Sequence, residues 1–328
     1  MDTPLPLDQW VIGIDVGGTK IAAGAVELGS GAVTLRQEQP TRAERGAPAV
    51  LEDITSMADG IARQLRREGG SQSAVGIGVP ELVDPEGRIR STHLLDWAAI
   101  PLIERLGTIA PAHIEADVRA AALAESTYGA GRELDSFAYI SIGSGISSTV
   151  VQDGVPLVGA RGGALVLSSG SLGVPCPECS NWTEFVLEDF ASGPALARRY
   201  AMATGREVDG AEQVITAANA GEPAAIQIVD SAADALGSSL GWLVNVLDPE
   251  AILIGGGLGL APGRFRDRLV KATRNHIWNP GARGLPFLSA ALGADAGLVG
   301  AALSAYQRAY QSEHSLGSPV AIMNGERR

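Results

Sequence analysis

Three glycine clusters follow predicted strands and could bind phosphate. They are Gly17-Gly18-Thr19, Gly143-Ser144-Gly145 and Gly255-Gly256-Gly257, placed after the strand-like runs 11–15, 137–142 and 251–254. Glycine lets an anion approach closely, and several backbone N–H groups of such a turn can point at one phosphate. Any one of these turns alone is more simply a tight hairpin, but three at strand ends favour a phosphate site.

The residues around these turns exclude two common nucleotide-binding motifs. No cluster continues into the Lys-Ser/Thr pair that opens the helix of a P-loop. The third glycine of a dinucleotide fingerprint is replaced by Leu260, and the acidic residue expected about 20 positions onward is absent from 274–277. Lys20 directly follows the first turn and is one of only two lysines, so it is either a phosphate ligand or a solvated strand residue.

Asp117 stands between a predicted strand, 112–114, and an alanine-rich predicted helix, 118–128. A carboxylate placed opposite glycine turns can accept the proton of an alcohol during phosphoryl transfer. Asp is also a favoured helix N-cap. The position alone leaves both roles open.

The elements around these residues repeat. A strand, glycine turn and returning strand occur near residues 11–27 and again 126 residues later, at 137–152. Further helices are predicted at 48–67, 184–200, 210–220, 224–247 and 295–310, with short strands at 74–79 and 251–254. Such a duplication predicts two similar lobes with a ligand cleft between them.

Composition narrows the class of protein. The chain has 328 residues, 45% of them hydrophobic, which is enough apolar surface for two folded lobes. Its net charge of -12 argues against nucleic acid as a partner. Two cysteines are too few for a disulfide framework. The sequence also shows no basic and apolar leader and no apolar run of about 18 residues. These features predict a soluble, cytoplasmic protein without a membrane partner.

Beyond these features, the chain resembles the ROK family of sugar kinases, which belongs to the actin-like ATPase superfamily. Six patterns carry the resemblance, in the family's order, between Val11 and about residue 310. They are D-x-G-G-T-K at 15–20, Gly-Val-Pro at 78–80, Glu-x-Asp at 115–117, Gly-Ser-Gly-Ile at 143–146, Leu-Glu-Asp-Phe-Ala-Ser-Gly at 187–193 and Ile-Gly-Gly-Gly at 254–257.

The resemblance implies ATP bound between two lobes, Mg²⁺ held by Asp15 through water, and Asp117 as the catalytic base. It implies phosphate contacts from the first two turns, Gly17, Gly18, Thr19, Lys20, Gly143, Ser144 and Gly145. The third turn, Gly255, Gly256 and Gly257, would lie near the adenosine.

The expected sugar pocket departs from the family pattern. Val166 and Ser169 stand where the family has a Glu and a His, and Ala116 replaces an Asn. Glu81 replaces a Gly and His93 an Asn. Asp117 and Glu188 remain as the acidic sugar contacts, and Glu81 and His93 are added as candidate substrate contacts.

The family's zinc motif is also incomplete. Cys176 and Cys179 are present, without the third Cys or a His in that segment. Because structural zinc needs four ligands, the sequence predicts no bound zinc.

We therefore expect an α/β fold with two RNase H-like, actin-like ATPase lobes. The small lobe spans 1–117 and is completed by the helix at about 295–310, the large lobe spans 118–294, and 311–328 form a weakly ordered tail. The expected function is ATP-dependent phosphorylation of a hydroxyl on a sugar or polyol, with an amino sugar or a cyclitol preferred over glucose, by a homodimer. The alternative is a regulatory ROK relative that binds sugar without catalysis.

Overall fold

The protein contains two five-stranded sheets of matching topology. The computed structural model describes residues 9–175 and 182–315. The first sheet has the order β3-β2-β1-β4-β5, and its strands are β1 (Trp10–Val16), β2 (Lys20–Glu27), β3 (Val33–Pro40), β4 (Gln72–Val79) and β5 (Ala112–Ala116). The second has the order β12-β11-β6-β7-β8, and its strands are β6 (Ser136–Ile142), β7 (Ile146–Gln152), β8 (Val155–Pro156), β11 (Ala251–Gly255) and β12 (Phe287–Ser289).

Each sheet combines an antiparallel meander with parallel strands. β1 pairs antiparallel with β2 and parallel with β4, and β6 pairs antiparallel with β7 and parallel with β11. The predicted duplication is therefore present in the topology. A third, two-stranded sheet pairs β9 (Ser171–Pro175) with β10 (Trp182–Val186).

Ten α-helices are found in the described part of the chain. They are α1 (Ala47–Arg67), α2 (Leu102–Gly107), α3 (Asp117–Tyr128), α4 (Leu187–Ala191), α5 (Gly193–Thr204), α6 (Ala211–Asn219), α7 (Pro223–Leu247), α8 (Gly257–Leu260), α9 (Arg264–His276) and α10 (Ala296–Ser315). The predicted helix 184–200 was wrong in part, because residues up to Val186 pair as β10 and the remainder divides into α4 and α5 at Ser192. Helix α10 runs five residues beyond the expected 310, since residues 311–316 include no Gly or Pro. The rest of the predicted tail, 316–328, lies outside the described residues.

Helix α3 lies between the two sheets. Its Leu123 and Ala124 pack with buried residues of β1, β2 and α10, while Ala121 and Ala122 pack with Phe137 and other residues of the second sheet. The helix that begins at Asp117 is therefore fixed by both lobes.

Glycines let α10 approach the first sheet backbone to backbone. A Cβ atom at Gly76 of β4 would lie 1.9 Å from the carbonyl oxygen of Ala301, and one at Gly13 of β1 would lie 2.1 Å from that of Leu298. No side chain fits at such distances. The closing helix is thus part of the first lobe's core.

We expect Gly76→Ala to lower the free energy of unfolding by about 3 kcal/mol, because the added methyl group must push α10 from the sheet. Denaturant unfolding measures the difference. Gly107→Ala is the matched control, since a Cβ there meets no atom within 4 Å. Equal stability of the two variants would contradict the close packing.

Candidate active site

The carboxyl ends of strands from both sheets border one cleft cavity of about 510 Å³. The predicted site residues that line it are Asp15, Gly17, Gly18, Thr19, Lys20, His93, Asp117, Gly143, Ser144, Gly145, Glu188, Gly256 and Gly257. Two of the predicted residues, Glu81 and Gly255, do not line this cavity. The fold thus brings the three glycine turns together with Asp117.

The first turn is fixed by a residue that the sequence analysis missed. Gly17 donates its N–H to the carbonyl oxygen of Lys20 at 2.9 Å, which closes the turn. The hydroxyl of buried Thr41, just beyond β3, donates to the carbonyl oxygen of Gly17 at 2.6 Å. Thr41 is 24 residues away in sequence, and no local pattern marks it as a partner of this turn.

Lys20 extends from the start of β2 at the edge of the cavity. Its ammonium group forms an ion pair with Glu38 at 3.0 Å, and its side chain is 46% exposed. Both roles considered for Lys20 therefore remain compatible with its position, because an exposed ion pair of this kind contributes little and exchanges readily.

The second turn is held by two helices of its own lobe, α4 and α5. The N–H of Gly193, at the start of α5, donates to the carbonyl oxygen of Gly143 at 2.8 Å. Glu188 accepts a hydrogen bond on Oε2 from the N–H of Ile146 at 2.7 Å. A Cβ at Gly145 would lie 2.8 Å from that Oε2 atom, so glycine is required for Glu188 to reach the strand.

The third turn connects β11 to the short helix α8. Gly256 has φ 77°, a left-handed conformation that favours glycine, and its Cβ would lie 2.4 Å from the carbonyl oxygen of Ile142. The Cβ position of Gly255 faces the Tyr139 hydroxyl at 2.5 Å, inside the lobe, and the cavity wall begins at Gly256. The contact of Gly255 with nucleotide stays a prediction.

A second cavity of about 950 Å³ continues from the second and third turns into the large lobe. It is bordered by α5, α6 and α8, with Pro194, Ile215 and Leu258 among its apolar walls and Asp209, Thr216 and Asn219 among its polar ones. Because Gly143, Ser144 and Gly257 line both cavities, a long ligand can extend from one into the other.

Asp15 lies near the end of β1 and borders the cleft. Burial raises the pKa of its carboxyl group to about 6, and the positive charge of Lys20 partly offsets this. A Cβ at Gly297, in the first turn of α10, would lie 2.6 Å from the carboxyl carbon. Gly297 was also missed by the sequence analysis, although it makes the space that Asp15 occupies.

Asp117 is the first residue of α3, and Ala116 occupies the N-cap position. The Asp117 carboxylate accepts a hydrogen bond from the adjacent Val118 N–H. Burial raises the pKa of this carboxyl to about 7, and the charge of Asp15 raises it further in the same direction. A carboxylate with a pKa near neutrality is suited to accept a proton at physiological pH.

A third cavity of about 250 Å³ lies on the other side of Asp117. His93 and Glu188 line both this cavity and the cleft, while Ala116 and Val166 line this one alone. Of the residues substituted relative to the family pattern, Ser169 does not reach the wall, which is formed by Ser168 instead.

Glu81 lines the 250 Å³ cavity, but its carboxylate already has partners within the protein. It is buried, and its carboxylate accepts hydrogen bonds from the N–H groups of Leu94 (3.0 Å) and Leu95 (2.8 Å) and from the indole N–H of Trp97 (3.2 Å). Both oxygens are thus engaged by the segment that carries His93. Glu81 thus orients this segment, and its contact with a substrate stays a prediction.

Across 9–175 and 182–315, no group of three or more His, Cys, Asp and Glu side chains is arranged to hold a metal ion. Cys176 and Cys179, the basis of the zinc prediction, lie outside the described residues. In that same part of the chain no helix is long and apolar enough to cross a membrane.

Comparison with known proteins decides the family. A model described as the ROK family matches residues 11–308. The chain belongs to the ROK family. Glucokinase of Halalkalibacterium halodurans is 30% identical over 322 residues, covering 89% of this chain and 94% of the relative.

One further relative and one solved structure are similar to this chain. Kanosamine kinase of Amycolatopsis mediterranei is 30% identical over 250 residues, covering 75% of this chain and 80% of the relative. The structure of a ROK family glucokinase from Streptomyces griseus, solved with glucose and AMPPNP, superposes with a TM-score of 0.76 at 29% identity, covering 91% of this chain and 99% of that one. The expected ROK membership and two-lobed actin-like ATPase fold are confirmed.

Asp117→Asn should make the ROK protein, free of nucleotide and metal, more heat-stable at pH 8. Because the folded state binds the Asp117 proton more tightly than the unfolded chain does, stability falls as pH rises from the ordinary pKa of 3.8 toward 7. The Asn variant lacks this loss, so its advantage in melting temperature should be several degrees at pH 8 and smaller at pH 5.

Asp248→Asn, at an exposed position, is the control and should show no such pH-dependent advantage. If the Asp117→Asn difference is the same at both pH values, Asp117 is not a buried acid with a raised pKa.

Proposed function

We propose that the protein transfers the γ-phosphoryl group of ATP to a hydroxyl of a sugar bound in the 250 Å³ cavity, with Asp117 as the base. One observation carries the proposal: Asp117 lines both that cavity and the 510 Å³ cleft of the glycine turns. A group at this position contacts an acceptor on one side and a phosphate on the other.

The protein is an ATP-dependent sugar kinase, in keeping with its ROK relatives. In this reaction the sugar hydroxyl oxygen bonds to the γ-phosphorus as the bond to the ADP oxygen breaks, and the hydroxyl proton passes to the Asp117 carboxylate. The protein contributes mainly position and charge. The glycine turns line the cleft, and N–H groups of their backbone would bind the phosphate oxygens there.

The nucleotide has room on the large-lobe side. The 950 Å³ cavity joins the cleft at Gly143, Ser144 and Gly257 and offers apolar faces at Ile215 and Leu258 for a purine ring. We therefore place the adenosine there and the phosphates along the first two turns.

Mg²⁺ fits the donors that the cleft offers. Magnesium in kinases is usually held by one or two carboxylates together with water and substrate phosphates, so a three-carboxylate cluster is not required. Asp15 supplies such a carboxylate; burial raises its pKa to about 6 and Lys20 offsets this only in part, so a bound cation would stabilise its charge. When bound, Mg²⁺ would neutralise phosphate charge beside Asp15.

The charges around the 250 Å³ cavity favour a cationic substrate such as an amino sugar, with an amino-substituted cyclitol as the second choice. Three carboxylates, of Glu81, Asp117 and Glu188, line this cavity together with one cation, Arg119. The Arg119 guanidinium already bonds Glu115 and two carbonyl oxygens. The similarity to a kanosamine kinase supports the same preference for an amino sugar.

Glu188 is the proposed partner of the substrate amine. Its Oε2 atom accepts from Ile146, and the carboxylate lines both the cleft and the sugar cavity. This role replaces the one that the sequence suggested for Glu81.

Asp117→Asn should reduce kcat by about 10²- to 10⁴-fold, since the amide cannot accept the hydroxyl proton. Coupled measurement of ADP formation with the best substrate tests this, with Asp248→Asn as the control that retains full rate. A loss of less than tenfold in a folded variant would reduce Asp117 to a structural residue. No ADP formation by wild type with any sugar would favour the regulatory alternative.

Amino sugars should exceed glucose in kcat/KM by at least about tenfold, because a buried charged hydrogen bond contributes more than a neutral one. Glu188→Gln should remove this preference, whereas Glu81→Gly should raise KM for every sugar by releasing the segment of His93. Efficient glucose phosphorylation that is unaffected by Glu188→Gln would contradict the assignment.

A further inference from the structure

Arg119 is a buried cation in the first turn of α3, two residues after Asp117. Its side chain is 5% exposed. The guanidinium donates from Nε to Glu115 Oε1 at 2.8 Å, from Nη1 to the carbonyl oxygen of Gly162 at 3.1 Å, and from Nη2 to that of Val83 at 2.7 Å. One side chain thus makes three directed bonds.

The two carbonyl oxygens come from opposite lobes. Val83 follows β4 of the first sheet, and Gly162 lies in the segment that follows β8 of the second. Gly162 has φ 76°, and a Cβ there would lie 2.0 Å from the Val83 oxygen, so the two backbones meet directly. Arg119 joins them at this contact.

Both joined segments form walls of the 250 Å³ cavity. Leu82 lines it on the first-lobe side, and Gly162, Leu165 and Val166 line it on the other. Ser148 donates its hydroxyl to the carbonyl oxygen of Leu165, which anchors the second wall to β7 as well. The distance between the walls therefore depends on the atoms that Arg119 bridges.

We propose that Arg119 is a positioning residue that holds the sugar cavity in its binding shape before any sugar arrives. The inference rests on the proposed function in one respect, that sugar binds in this cavity. Arginine suits the task because its planar fork can bond the carboxylate and both carbonyls at once, which a lysine ammonium on a flexible stem cannot do. The glycine turns take no part in these bonds.

Arg119→Lys is the test, because lysine keeps the positive charge and the ion pair with Glu115. We expect KM for the sugar to rise about tenfold, equivalent to about 1.4 kcal/mol. We expect kcat and KM for ATP to change by less than about twofold, since the bonds lost are those to the two walls. Arg308→Lys is the matched control, as Arg308 also bonds a carbonyl of the first-lobe segment, that of Pro85, but does not reach Gly162.

Hydrogen–deuterium exchange supplies a readout that needs no activity. In free wild type, amides of residues 158–167 should already be protected, with little change when sugar is added, and Arg119→Lys should exchange faster there while Arg308→Lys should not. Protection that appears only with sugar would overturn the proposal, even if Arg119→Lys fails to fold.

The kinetic constants of Arg119→Lys and of wild type give two further tests. An unchanged sugar KM in Arg119→Lys, or equal losses for sugar and ATP, would overturn the positioning role. Failure of wild type to phosphorylate any sugar would instead contradict the proposed function, and the exchange of residues 158–167 would still decide whether Arg119 joins the two walls.

Discussion

The site depends on two carboxylates, of Asp15 and Asp117, that border one cleft with no side chain between them. Asp15 lies near the end of β1 and Asp117 follows β5, and β4 lies between these strands. At the critical position β4 carries Gly78, whose Cβ would lie 3.5 Å from Asp15 Oδ1 and 3.6 Å from the Asp117 Cα. A larger residue would fill the space between the acids. Burial of Asp117 and repulsion from Asp15 raise the pKa of Asp117. A cation bound beside the two carboxylates would reduce this repulsion.

The sequence predicted well those features that are encoded locally. A glycine turn after an apolar strand is a short-range pattern, and its recurrence 126 residues later predicted two similar lobes with a ligand cleft between them. Glu81 shows the limit of this reasoning. A carboxylate beside a predicted pocket can face a ligand or the N–H groups of a later segment, and only the path of residues 93–97 shows that it faces Leu94 and Leu95.

Long-range contacts account for most of what could not be predicted. Thr41 fixes the first turn from 24 residues away, and Arg119 reaches Gly162 across 43 residues. The helix predicted at 184–200 failed for a similar reason. Its apolar spacing is helical, but residues up to Val186 pair with β9, and the N–H of Gly193 bonds the distant carbonyl oxygen of Gly143 where the chain is extended at Ser192.

The backbone contact of α10 with Gly13 and Gly76 has a consequence for biosynthesis. The first sheet is complete in sequence by Ala116, yet the helix that covers it begins only at Ala296. At ribosomal rates of about 5–20 residues per second, roughly 10–40 seconds pass between these points. During that interval the nascent first sheet exposes the apolar face that α10 later covers, while the residues of the second lobe are already synthesised.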